Sequence, residues 1–274
     1  MGSGKVCVVS GSSSGIGAAI AQRYALEGWD VVVNYLRQAQ AAEEVAAACR
    51  RHGGRVEVLQ ADVADDGECR RLADETRQRL GRCDVLVNNA GTTRFVPLPQ
   101  LDGLQADDFH AIYAVNVVGA FQLTRAFEPL LKALDKAAVV NISSVASFMG
   151  RGSSLAYMAS KGAMNAMTVG LARALAPTVR VNAVAPGLVD TPWLRQGLGA
   201  ERYAQHRAQW LERAALEDVI QPEDVADAVW WLGAGAAKST GEILLLDAGW
   251  RLSKLRRKST ATVARSRPGA HAAR

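Results

Sequence analysis

Seven short runs rich in valine, isoleucine and leucine punctuate the chain, at residues 6–9, 31–33, 56–59, 85–87, 139–142, 181–184 and 243–246. Longer, often alanine-rich stretches with helical spacing separate them. The runs are mostly apolar rather than alternating, so each strand must be covered on both faces. That is the condition of a parallel sheet with crossover helices. The expectation is an α/β chain: a doubly wound, seven-stranded parallel sheet flanked by helices on both faces, one domain over residues 1–250, with no internal repeat.

The net charge of +5 invites a nucleic-acid reading, but residues 251–274 hold eight Lys/Arg and no Asp/Glu, leaving residues 1–250 at −3. The basicity therefore belongs to a C-terminal tail without apolar periodicity, expected to be flexible, and no nucleic-acid partner is predicted. No stretch approaches the roughly 20 apolar residues of a membrane helix, and the start runs directly into a strand without a signal-type segment. A cytoplasmic protein with no membrane partner is expected. The cysteines Cys7, Cys49, Cys69 and Cys83 lie 42, 20 and 14 positions apart, without the close pairs of metal or redox sites. They read as buried thiols in a reducing compartment, and no metal is expected.

The first strand leads into Ser10-Gly11-Ser12-Ser13-Ser14-Gly15-Ile16-Gly17 and then a helix whose Ile16, Ile20 and Tyr24 recur every four positions. Glycines permit a tight turn and close approach, and a helix N-terminus supplies amide donors, so this context can hold a pyrophosphate. The same residues match Gly-x-Ser-x-Gly, which in a hydrolase would make Ser13 a nucleophile. Of His52, His110, His206 and His271, none follows a strand with an obvious acidic partner, which weighs against that alternative.

In a dinucleotide fold an acidic residue closing the second strand accepts hydrogen bonds from the adenosine ribose. Here the strand ends in Asn34-Tyr35-Leu36-Arg37. Neutral Asn34 removes the repulsion toward a 2′-phosphate, and Arg37 offers it charge-assisted hydrogen bonds. NADP(H) is therefore the expected cofactor, with NAD(H) the alternative if Arg37 serves only as a solvated loop residue.

Tyr157-Met-Ala-Ser-Lys161 places a phenol and an ammonium four residues apart on a helix expected to run on through 163–176. A neighbouring cation stabilises phenolate and lowers its pKa, making the tyrosine a usable acid and base. Thirteen residues earlier, Ser144 stands at the C-terminal edge of a buried strand, where the binding crevice of such a sheet lies.

Together, Ser10-Gly-Ser-Ser-Ser-Gly-Ile-Gly17, Asp62-Val63, Asn88-Asn-Ala-Gly91, Asn116, Ser143-Ser144, Tyr157-x-x-x-Lys161 and Pro186-Gly187 resemble, in this order, the short-chain dehydrogenase/reductase family. The resemblance covers residues 4–250. It is nearest to the subset with a Gly-x-x-x-Gly-x-Gly loop and to members like the 3-oxoacyl-[acyl-carrier-protein] reductases, with a Rossmann-type fold. It implies hydride transfer between a nicotinamide and a carbonyl or secondary alcohol. Tyr157 would be the general acid/base, Ser144 would polarise the substrate oxygen, Lys161 would hold the nicotinamide ribose, and Asn116 would anchor a relay water. It further implies cofactor contacts from Gly11, Ser13, Ser14, Gly15, Ile16 and Gly17, from Asp62 and Val63 at the adenine, and from Asn89, Ala90 and Gly91 on the adenosine side. Pro186, Gly187, Val189 and Thr191 would flank the nicotinamide.

Read without the resemblance, Asn88 and Asn89 can simply bind backbone at a strand end, Asp62 can cap a turn, and Pro186-Gly187 can stop a strand. Two small departures stand out: Ser10 replaces the usual threonine, and Asp247-Ala248-Gly249 replaces a frequent Asp-Gly-Gly, a change that bears on packing at a subunit interface. The resemblance also implies a homo-oligomer, a tetramer built on the helix bearing Tyr157. Substrate identity is expected to reside in a lid at 188–216 with Trp193, Tyr203 and Trp210, aided by Phe148 and Met149. If the substrate is a 3-oxoacyl thioester, Arg195, Arg202 or Arg207 could meet an acidic carrier. The alternative is a non-catalytic dinucleotide-sensing protein.

Overall fold

The structure is a computed structural model and describes residues 4–252. The part of the expected tail beyond Leu252 lies outside the described residues. Strands are β1 (Val6–Val9), β2 (Asp30–Tyr35), β3 (Val56–Gln60), β4 (Val85–Asn88), β5 (Ala137–Ile142), β6 (Val179–Pro186) and β7 (Ile243–Leu246). Helices are α1 (Gly15–Leu26), α2 (Ala39–Arg50), α3 (Asp66–Leu80), α4 (Ala106–Tyr113), α5 (Ala120–Lys132), α6 (Ala146–Met149), α7 (Leu155–Leu175), α8 (Pro192–Leu198), α9 (Ala200–Arg213) and α10 (Pro222–Trp230).

All seven strands form one sheet in the order β3-β2-β1-β4-β5-β6-β7, and every pairing is parallel. The doubly wound, seven-stranded α/β expectation is met. Successive side chains point to opposite faces, and β1 shows how both are buried. Cys7 and Val9 join the core beneath α1, α2 and α10, while Val6 and Val8 join the core beneath α3, α5 and α7. The chain order reverses between β1 and β4, so the carboxyl ends of those strands open a crevice at the switch point.

The observed β6 is twice as long as its apolar run, because its polar residues find partners. The Arg180 guanidinium donates to the carbonyls of Leu232 and Gly233, and the Asn182 amide donates to the Ser239 carbonyl. A reading by hydrophobicity stops at Arg180, although hydrogen bonding lets it stay in a strand. Between α4 and α5 the backbone passes through a π-helical turn, Ala114–Gly119, with Asn116 fully buried inside it. Such widened turns collect at functional positions. At the departure noted in sequence, Ala248 takes φ +51°, the left-handed region that glycine would occupy without strain.

Candidate active site

The glycine loop is held by side chains that its own motif does not advertise. The Ser12 hydroxyl donates to the Val9 carbonyl at 2.8 Å and accepts the Asn34 amide at 3.0 Å. The Ser10 hydroxyl accepts the backbone amides of Asn89 and Ala90, each at 3.0 Å, and the Asn89 side-chain amide donates back to the carbonyls of Ser10 and Gly11 at 2.9 Å. This interlock explains Gly17: a Cβ there would stand 2.5 Å from both Asn89 Nδ2 and the Gly11 carbonyl. Sequence analysis missed Ser10 and Ser12 as loop-setting residues, because a small hydroxyl beside glycine carries no spacing signal of its own.

Asn34 requires a correction. It is buried, its Oδ1 accepts the Gly11 amide at 3.0 Å, and its Nδ2 donates to the carbonyls of Leu59 and Ala61. Its amide is spent on tying β2 to the loop and to β3, so it positions the loop instead of facing a ribose. Arg37, by contrast, is exposed just beyond β2. Ser13 is turned toward Gln38, whose Oε1 lies 3.4 Å from its hydroxyl. Asp62 does cap a turn, its Oδ1 accepting the Ala64 amide at 2.9 Å, and Val63 is buried against Gly119.

These residues fit a dinucleotide. Ser14 is the N-cap of α1 but makes no side-chain capping bond, which leaves amides of the first turn available to a diphosphate. Thr191, the N-cap of α8, brings its methyl within 3.6 Å of where a Gly15 Cβ would be, so the segment after β6 closes against the loop. Gly91 is equally close to the chemical groups. A Cβ there would lie 3.5 Å from Asn116 Oδ1 and 3.8 Å from Lys161 Nζ.

Ser154 caps α7 by accepting the Tyr157 amide at 3.2 Å, which starts the helix three residues before the phenol. Tyr157 and Lys161 then share one helix face. The Ser144 hydroxyl, carried just past β5, accepts the Ala146 amide at 3.1 Å and opens on the same cavity as the phenol. Lys161 is 3% exposed, its ammonium donates to the Ile142 carbonyl at 2.7 Å, and it stands 5.6 Å from the Tyr157 ring centre. Burial lowers this ammonium to about 8. Burial also pushes the Tyr157 phenol up to about 12, with the Ser144 hydroxyl pulling the other way. The expected lowering by the neighbouring cation is not among the influences on this phenol, of which desolvation is the largest.

The Asn116 side chain is likewise occupied. Its Oδ1 accepts the Thr92 amide at 2.8 Å, and its Nδ2 donates to the Thr92 carbonyl and the Ser160 hydroxyl, each at 3.0 Å. It therefore pins the segment following β4 to α7 across the π-turn.

Ser144 and Tyr157 open into a cavity of about 250 Å³ that Pro186, Gly187, Val189 and Thr191 also line. Of the expected lid aromatics, Trp193 and Trp210 line it, as does Met149. Tyr203 is buried in the lid and Phe148 points to solvent, so neither contributes. Trp193 meets Phe95 with ring centres 5.7 Å apart. Phe95, Arg151 and Trp250 were not foreseen, because the fold brings them from segments far apart in sequence. Arg195 is committed to both oxygens of Asp190, at 2.7 Å each, and is not free for an acidic carrier.

A dinucleotide cradle at the switch point and a phenol, hydroxyl and ammonium beside it define a nicotinamide-dependent oxidoreductase. Residues 11–251 match the family model described as enoyl-(acyl carrier protein) reductase. The chain belongs to the short-chain dehydrogenase/reductase family. It is 42% identical over 247 residues to a ketoacyl reductase assigned to the granaticin polyketide synthase of Streptomyces violaceoruber, covering 90% of this chain and 96% of that one. A 7α-hydroxysteroid dehydrogenase solved with NADH and 7-oxo glycochenodeoxycholic acid is similar at TM-score 0.81 and 29% identity, over 90% of this chain and 94% of that one. A gluconate 5-dehydrogenase from Burkholderia cenocepacia solved with NADP and tartrate is similar at TM-score 0.82 and 27% identity, over 93% and 97%. All three are named for oxidoreductase activities, and none for the dinucleotide-sensing role weighed as an alternative. The chain is an NAD(P)-dependent oxidoreductase that moves a hydride between a nicotinamide and a carbonyl or secondary alcohol.

Proposed function

We propose that this chain is an NADP(H)-dependent ketone reductase in which Tyr157 is the general acid, Ser144 holds the substrate oxygen and Lys161 holds the cofactor ribose. The convergence of the Ser144 hydroxyl and the Tyr157 phenol on one cavity carries the proposal. A substrate oxygen placed between them accepts two hydrogen bonds as its negative charge grows. The reduced nicotinamide, when bound, supplies the hydride to the carbonyl carbon. The phenol is protonated at neutrality, so it is the proton donor in the reductive direction. Lys161, reaching past Gly91, is placed to hold the ribose and to favour the phenolate left after proton transfer.

The preference for NADP(H) is supported by exposed Arg37 and by the lack of a carboxylate at the end of β2. 3-Oxoacyl thioesters are the first substrate class to test, in keeping with the ketoacyl reductase named above. The adenine side is assigned to Asp62 and Val63, and the adenosine ribose side to Asn89, Ala90 and Gly91. A homo-oligomer along α5 and α7 is supported by apolar side chains left in solvent there, Phe121 and Val169, with Val118 in the π-turn just before α5. Light scattering after size exclusion checks for a tetramer. A cytoplasmic location is supported by four buried thiols, all unpaired. No helix among the described residues is long and apolar enough to cross a membrane.

The test follows NADPH and NADH oxidation against 3-oxoacyl thioesters, β-ketoesters and cyclic ketones, with Tyr157→Phe beside the wild type. Turnover should fall by about 10²–10⁴-fold in the variant while dinucleotide affinity stays within a few-fold. A variant of near-normal turnover would remove Tyr157 from the chemistry.

A further inference from the structure

One stretch of the cavity wall carries positive charge that the chemistry at Ser144 and Tyr157 does not use. Arg151 and Arg213 both line the cavity, and both set their guanidinium against the Trp250 indole, 5.3 and 3.9 Å from its ring centre. The two guanidinium carbons are therefore no more than about 9 Å apart. Among the described residues neither forms an ion pair with a carboxylate, whereas Arg55, Arg82, Arg94 and Arg195 each do.

The patch is built on a firm base. His206, Gln209, Trp210 and Arg213 recur at the spacing of one helix face on α9, and all four line the cavity. Trp210 stacks on Trp250 at 5.6 Å and 17°, and its indole N–H donates to the Asp218 carbonyl at 3.1 Å. A Cβ at Gly187 would stand 2.1 Å from Trp210, so the stack rests directly on the strand end that flanks the expected nicotinamide position. Burial and Arg151 hold the His206 imidazole below its ordinary range, so at neutrality it adds a neutral hydrogen-bonding group. A guanidinium held over an indole keeps its N–H donors free around its edge. Two such cations facing one void repel each other, and an anion between them relieves that repulsion and satisfies the donors.

We propose that the substrate carries, besides its reacting carbonyl, an anionic oxygen group that Arg151 and Arg213 bind around Trp250. The inference rests on the reductase reading of Ser144 and Tyr157. Two sources share this chemistry: a carboxylate on a small ketone, and the phosphate groups of a coenzyme A thioester.

Binding without turnover tests it. Protein saturated with NADP⁺, which cannot deliver a hydride, is titrated with 4-acetylbenzoate and with 4-acetylbenzamide, and separately with acetoacetyl-coenzyme A and acetoacetyl-N-acetylcysteamine. The anionic member of at least one pair should bind about 10–100-fold more tightly, the range of charge-assisted hydrogen bonds. That advantage should shrink to within about threefold in the Arg151→Gln/Arg213→Gln double variant, and the pair showing it identifies the source of the anion. Equal affinity within both pairs, or an advantage that survives in the double variant, would overturn the proposal. Because nothing is turned over, this outcome is separate from the Tyr157→Phe assay that tests the reductase reading.

Discussion

The Lys161 ammonium lies 2.7 Å from the Ile142 carbonyl oxygen, and burial brings it to about 8. The free ammonium of an unfolded chain titrates at 10.5. Between these values the folded protein binds fewer protons than the unfolded chain, so through this residue stability rises with pH across that window. A dinucleotide whose oxygens favour the ammonium should raise its pKa again. NADPH binding at pH 8.5, where phosphate monoesters are fully ionised, should then take up a fraction of a proton. Calorimetry in buffers of different ionisation enthalpy measures the uptake, which should vanish in Lys161→Met. Equal uptake in both proteins would place the proton elsewhere.

Asn34 and Arg37 are three residues apart and do different work. Arg37→Ala should weaken NADPH by about tenfold or more, the loss of charge-assisted bonds to a phosphate, and leave NADH nearly unchanged. Asn34→Ala removes three hydrogen bonds, two of them buried, from the loop and from the β3 end, and should destabilise the fold by about 1–3 kcal/mol. It should weaken both dinucleotides together. Parallel titrations and thermal melts distinguish the two patterns, and a reversed pattern would exchange the two roles.

Gly17→Ala places a methyl carbon 2.5 Å from Asn89 Nδ2 and from the Gly11 carbonyl, a distance that forces the interlock apart. The expected result is a lower melting temperature together with loss of dinucleotide affinity, since the same bonds shape the phosphate-facing loop. Full affinity in a destabilised variant would show that the loop is set by other bonds.

Ala248 stands at φ +51°, where a Cβ is strained by about 1–2 kcal/mol. Ala248→Gly relieves that strain but adds freedom to the unfolded chain, so a net gain of about 0.5–1 kcal/mol is expected. For a chain of this size that is a rise of about 2 °C in melting temperature. An unchanged or lower melting temperature would show that the strain is absorbed elsewhere.

Much of this protein was legible in one dimension, for physical reasons. Strands buried on both faces are apolar at most positions, so runs such as 31–33 and 243–246 announced themselves, and with them the parallel sheet. The glycine loop, Ser144, Tyr157 and Lys161 were legible because short-range geometry, a strand-to-helix turn or one helix face, fixes their spacing. Tertiary structure decided the rest. Whether Asn34 faces a ribose or the Gly11 amide depends on β3 lying beside it, and the titration of Tyr157 and Lys161 depends on how much water the surrounding helices exclude. The substrate cavity is the extreme case. Phe95, Arg151, Arg213 and Trp250 come from segments with no shared periodicity, and they share a wall only because the sheet brings the ends of its strands to one edge.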